Sequence, residues 1–175
     1  MDTLKTMLVR HSCRAYTDQQ LTDEQLEKVL LAANAAPIGR ALYENMHLTV
    51  IQNDSFIANC TEMFRTAIGD ANANPLYNGK TWIIVSSKAE AGELAFANAA
   101  CMVENMSLEA TELGLGHVYI HGALRVLEKN PDFIKAIDIP EGFRPIASII
   151  LGYEKEPKTE ERQIGIDRVA TNYIK

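Results

Sequence analysis

The stretch Thr81-Trp82-Ile83-Ile84-Val85-Ser86-Ser87 decides the fold class. Its centre is apolar without alternation, so a strand formed here is buried on both faces. The sheet that contains it must carry helices on both sides. The next segment supplies one. Ala91 to about Leu113 reads as the longest helix, small and apolar nearly all round through Ala95, Ala97, Ala99, Ala100, Cys101 and Met102, with Gly114 placed to stop it. A helix apolar on more than one face is central or lies at an interface. Further on, His117 to Ile120 reads as a strand, Leu124 to Lys129 and Pro131 to Ala136 as short helices, and Pro145 to Tyr153 as a strand.

Upstream, a first helix runs from Thr3 to about Val9. Thr22 and Gln25 fit a capping box ahead of Leu26, Val29, Leu30 and Ala33, with Asp23 and Glu24 at the positive end of the dipole and Pro37 marking the stop. His47 to Ile51 is a strand, and Asp54 or Ser55 caps a third helix with an apolar stripe from Phe56 to Ala67. Asp70 to Asn78 is an Asn-rich loop. Helices and strands alternate irregularly, which predicts a single α+β domain over 1–175 with about four or five strands and helices on both faces.

The chain has 175 residues, of which 47% are hydrophobic and 23% charged, an ordinary globular balance that excludes general disorder. A net charge of -6 makes nucleic acid and anionic membrane poor partners, so a phosphate-bearing ligand must be held by a local cluster of arginines and amides. Cys13, Cys60 and Cys101 are odd in number and far apart, with neither CxxC nor zinc spacing. With no signal peptide or transmembrane run visible, they read as reduced thiols of a cytoplasmic protein, and no metal is expected.

Four elements carry chemistry. In Arg10-x-Ser12-x-Arg14, extended backbone puts two guanidinium groups and a hydroxyl on one face, equipment for a phosphate as well as for a solvated surface. Ala35-Ala36-Pro37-Ile38-Gly39 sits at a helix end. Leu113 to Gly122 places glycines around a short strand: either a helix cap with a tight turn, or a close approach of backbone to a flat ligand. Leu151-Gly152-Tyr153 leads into a charged stretch reaching Arg162.

In this order and spacing the four elements resemble the nitroreductase family of FMN-dependent oxidoreductases, over nearly the whole chain. The resemblance implies a mostly antiparallel central sheet and a homodimer. It implies that Arg10, Ser12 and Arg14 hold the phosphate and pyrimidine edge of FMN, that His11 contributes mainly backbone, and that Arg162 completes the phosphate site. Pro37, Ile38 and Gly39 would line the flavin from the other subunit. Tyr119, Ile120, His121 and Gly122 would back the isoalloxazine ring, with a backbone N–H directed at N5, and Asn72 or Asn74 would reach the pyrimidine ring. The implied activity is transfer of electrons from NAD(P)H to nitroaromatic, quinone or similar acceptors by a ping-pong mechanism, in which the flavin does the chemistry and no catalytic side chain is named. The sequence departs from the family at Ile38, where the family has Ser, and at Ala41 to Asn45, where its Asn-x-Gln-Pro-Trp is missing. These departures leave room for a second reading, a flavin-binding protein without turnover. The tail from Glu154 to Lys175 has too little apolar content to pack alone and is expected on a partner subunit.

Overall fold

Trp82, Ile83, Ile84 and Val85 are wholly buried in the central strand of a computed structural model that describes residues 2–88 and 92–175. The strand, β2 (Thr81–Lys88), pairs antiparallel with β1 (Met46–Ile51) on one side and β4 (Phe143–Gly152) on the other, and β4 pairs antiparallel with β3 (Gly116–Ile120). The order is β1-β2-β4-β3, one sheet of four strands. The register places Ile83 opposite Ile149 and Trp82 opposite Ile150. Odd-numbered residues of β2 therefore enter one core and even-numbered residues the other.

The two cores are separate apolar clusters. Ile83, Val85, Ile149 and Leu151 pack with α2 (Asp23–Asn34) and α4 (Glu93–Glu112) through Val29, Ala33, Ala95, Ala99, Met102 and Met106. Trp82, Ile84 and Ile150 pack on the opposite face with α3 (Asp54–Ile68), α5 (Gly122–Leu127) and α6 (Pro131–Ala136), where Trp82 stacks on Phe133 at 5.8 Å. Each large apolar side chain buried this way contributes about 1.5–3 kcal/mol. The two-faced cover expected from β2 alone is present. No helix among the described residues is long and apolar enough to cross a membrane.

The capping box of α2 forms as read, with Gln25 N–H donating to Thr22 Oγ1 at 3.2 Å and Thr22 N–H donating to Gln25 Oε1 at 3.0 Å. Several boundaries differ from the reading. Asn53, not Asp54 or Ser55, caps α3, its side chain accepting from the Phe56 N–H at 2.9 Å. Helix α5 begins at Gly122 and ends at Leu127, two residues ahead of the expected Leu124 to Lys129, because β3 ends at Ile120 and His121 already turns into helical backbone. Strand β4 starts two residues before Pro145, which the ladder admits because a bulge lies between Val85 and Ser86. The expected helix start at Ala91 lies outside the described residues; α4 begins at Glu93.

Gly114 has φ +70 after the end of α4, so the helix-cap reading of that glycine holds. Gly116 serves packing. A Cβ there would lie 2.5 Å from Glu154 Cγ and 2.9 Å from Cys13 Sγ. The space it leaves is filled by the chain that follows α1 (Thr3–Val9) and by the exit of β4, not by a ligand.

Candidate functional site

The segment after α1 runs along the edge of the sheet. Cys13 N–H donates to the His117 carbonyl of β3 at 2.8 Å, Thr17 N–H to Tyr153, and Lys155 N–H to Ala15. Extended geometry then separates the side chains by parity. Cys13 is buried, while Ser12 and Arg14 are exposed and Arg10 is half-buried. Exposure thus separates Ser12 and Arg14 from Cys13, while Arg10 and His11 are both half-buried.

The two arginines meet different surroundings. The Arg14 guanidinium lies over the Tyr77 ring at 5.9 Å. Tyr77 helps line a cavity of about 480 Å³ together with Phe64, Asn74, Tyr119, His121 and Gly122. The loop and the β3 end named from sequence therefore come together in one cavity. Asn74 places its Oδ1 buried and without a hydrogen-bond partner, whereas Asn72 is exposed. Tyr119 is partly exposed, and partial burial raises its phenol.

Arg10 lies at the other end, 3.5 Å from Glu104 of α4. Arg162 comes to the same place from the tail, its N–H and Nε both bonded to the Leu8 carbonyl and its Nη2 to Met7. The Arg162 guanidinium is depressed from its ordinary value by burial and then by the nearby charges of Arg10 and Arg168. These three guanidinium groups share the neighbourhood with one carboxylate, Glu104, which leaves a positive balance among the four. Arg168 was not anticipated from sequence; nothing in its local pattern distinguishes it from a surface charge.

Pro37, Ile38 and Gly39 lie elsewhere in the chain, against α4. Gly39 N–H donates to Asn98 Oδ1 at 3.0 Å, and Ile38 is buried in the α2/α4 core. Ile38 therefore has no free side chain to offer a ligand, and what this segment presents is Pro37 and backbone. The following residues are strained: Arg40 and Ala41 have φ of 59 and 56, left-handed values that non-glycine residues seldom adopt. Tyr43 closes the segment by donating its hydroxyl to the Ala36 carbonyl at 3.1 Å. Asn98, the acceptor for Gly39, was missed in the sequence; a buried polar residue in a helix otherwise rich in Ala was the available signal.

His117 is buried and its Nε2 lies 3.1 Å from Thr111 Oγ1. Burial first, then Arg10 and His11, push it down to about 3, so it is neutral at any ordinary pH. Cys13 and Cys60 are buried free thiols, and desolvation raises both, Cys60 to about 12. Neither is a nucleophile.

The nitroreductase family profile matches residues 7–153. A protein of Archaeoglobus fulgidus whose name gives it provisionally as an NADH dehydrogenase/NAD(P)H nitroreductase is 27% identical over 90% of this chain and 88% of its own. The FMN reductase (NADPH) of Bacillus subtilis is 23% identical over 87% of this chain and 66% of its own. The crystal structure of a nitroreductase with bound FMN from Bacteroides fragilis superposes with a TM-score of 0.84 at 24% identity, covering 99% of this chain and 100% of that one. The family match begins at Met7, just before the strap of residues 10–14, and ends at Tyr153, at the exit of β4, and the chain belongs to the nitroreductase family.

Proposed function

We propose that the protein is an FMN-dependent oxidoreductase that takes electrons from NAD(P)H and passes them to a nitroaromatic, a quinone or a similar small acceptor in ping-pong order, as a cytoplasmic homodimer. The observation that carries this reading is Asn74 Oδ1, a buried acceptor without a partner in the cavity formed with Tyr119 to Gly122. An orphaned buried acceptor costs about 1–3 kcal/mol, a cost that a ligand donor removes. A flavin offers such a donor on its pyrimidine edge.

The residues present fit FMN. Asn74 and Arg14 stand at the cavity that would take the ring, and the Tyr119-Ile120-His121-Gly122 backbone forms one wall. Arg10 and Arg162 supply the positive charge for the phosphate, with the exposed Ser12 hydroxyl between Arg10 and Arg14. FMN, when bound, supplies hydride acceptance and onward electron transfer; the protein supplies position and field. Pro37 and Gly39 would reach the flavin of a partner subunit, since within one chain they border the α2/α4 core and not this cavity.

The homodimer is supported by what the chain leaves uncovered. In the tail, Ile166 is 95% and Ile174 100% exposed, and Leu94 and Phe96 of α4 are also open to solvent. A second copy is the cover we propose for them, with the tail wrapped on the partner.

A non-catalytic flavin binder is the second reading, favoured by the burial of Ile38 and the absence of hydroxyl and amide side chains from residues 38–42. Purified protein should be yellow, and stopped-flow mixing with NADPH or NADH should bleach it much faster than free FMN. Bleaching at the rate of free FMN would favour the binder, and colourless protein that takes up no added flavin would end both readings.

A further inference from the structure

We propose that His11 and Glu154 form a positioning pair that holds the phosphate-binding strap of residues 10–14. The proposal rests on the FMN reading and adds to it a role for two side chains that this reading leaves unused.

The His11 ring stands between two acceptors. Its Nδ1 is 3.2 Å from the Val9 carbonyl oxygen, and its Nε2 is 2.9 Å from Glu154 Oε1. Neither a carbonyl nor an ionised carboxylate has a proton to give. A neutral imidazole carries one N–H and can satisfy only one of them, so the doubly protonated ring is the form that satisfies both. The other oxygen of the carboxylate, Oε2, is served separately by the Lys158 N–H at 3.3 Å.

Glu154 belongs to the frame, not to the strap. Its side chain is only 8% exposed, against 24% for His11. An antiparallel bridge between Tyr16 and Glu154 fixes its backbone, Lys155 N–H donates to Ala15 at 3.0 Å, and the missing Cβ of Gly116 makes room for its Cγ. The imidazole thus adds a side-chain tie to the backbone bonds that Cys13 and Ala15 make with β3 and the β4 exit. Arg10 and Ser12 are the immediate chain neighbours of that imidazole, so its anchoring sets how they face outward.

Charged groups face His11 from several sides: Arg14, Lys155 and Glu156 line one flank with it, and Glu160, Glu161 and Arg162 another. His117 approaches from β3 and is neutral. Lys158 from the tail and Glu112 from the end of α4 line the same small cavity of about 200 Å³; Lys158 N–H donates to Glu154 Oε2, and Glu112 accepts from Thr6. Arg10 is paired to Glu104 and lies near Arg162. Glu154 is the one charged group within bonding distance of the ring among the described residues.

The test is flavin affinity, read by quenching of flavin fluorescence for FMN and riboflavin. The proteins are wild type, Glu154→Gln and His11→Asn. Both variants should bind FMN about tenfold more weakly than wild type, with riboflavin, which lacks the phosphate, little changed. His11→Asn carries the test alone if Glu154→Gln does not fold. Unchanged FMN affinity in the variants, or equal losses for FMN and riboflavin, overturn the pair as a phosphate-positioning device while leaving the FMN reading standing. A wild type that binds no flavin overturns both.

Discussion

Arg162 is bonded twice to Leu8: its backbone N–H reaches the Leu8 carbonyl at 3.0 Å and its Nε reaches the same oxygen at 3.1 Å, while Nη2 takes the Met7 carbonyl at 2.7 Å. These are carbonyls of the last turn of α1, which have no partner within the helix. A cation there also complements the negative end of the helix dipole. Arg162 thus docks the tail onto α1 and brings a guanidinium to Arg10 in the same act. Arg162→Ala is expected to lower apo stability by about 1 kcal/mol and to weaken FMN by a further 1.5–3 kcal/mol, roughly 10- to 100-fold. Truncation after Lys155 should weaken FMN as much and loosen the proposed dimer, with the sheet intact by circular dichroism. Thermal melting with and without FMN separates the two effects, because ligand adds stability only where it binds. A truncated chain that binds FMN as tightly as the full one would leave Arg162 a structural cap alone.

Arg10 and Arg14 should behave differently toward the phosphate. Arg10 sits with Arg162, whereas Arg14 sits over Tyr77 beside the cavity of Asn74. Arg10→Ala is expected to weaken FMN by roughly 10- to 100-fold and riboflavin little, the loss of one charge-assisted bond. Arg14→Ala should weaken FMN and riboflavin by similar factors, because its place is at the ring end. Calorimetric titration with both ligands decides it; a phosphate-selective loss in Arg14→Ala would place the phosphate at the other end of the strap.

Gly116 and Gly114 look alike in the sequence and should respond differently to substitution. Gly116→Ala drives a methyl group to 2.5 Å from Glu154 Cγ and 2.9 Å from Cys13 Sγ, so strand, strap or β4 exit must shift. A cost of about 1–3 kcal/mol in urea unfolding is expected, together with weaker FMN. Gly114→Ala meets open space but holds φ +70, and should cost about 1 kcal/mol with FMN binding unchanged. Equal effects on flavin would mean that Gly116 does not support the strap.

His117 should make the protein sensitive to mild acid. Its folded value is about 3, while the unfolded chain takes up that proton as pH falls through about 6.5. Between these limits the unfolded state binds more protons, so stability falls as pH falls. The contribution is fully present above about 6.5 and is lost progressively toward about 3. Urea midpoints measured down this range should decline, and His117→Gln should flatten the decline while lowering the neutral-pH midpoint, since the bond to Thr111 is altered. An unchanged slope in the variant would assign the acid sensitivity to other groups.

The sequence by itself determined the layers. An unbroken apolar centre in Trp82 to Val85 can be satisfied only by cover on both faces, and the observed sheet has α2 and α4 on one side and α3, α5 and α6 on the other. Local signals with a local cause were also legible: the Thr22–Gln25 box, Gly114 as a stop, and the exposure of Ser12 and Arg14 on either side of the buried Cys13 all follow from backbone geometry within a few residues. Tertiary structure decided what depended on distant partners. That Gly116 makes room for Glu154 could not be read locally, because Glu154 is 38 residues away and reaches it only through the pairing of β4 with β3. The different surroundings of Arg10 and Arg14, the burial of Asn74 Oδ1 against the exposure of Asn72, and the docking of Arg162 on Leu8 have the same origin. Each is set by which surfaces the sheet order brings side by side, and hydrophobic pattern specifies faces without specifying neighbours.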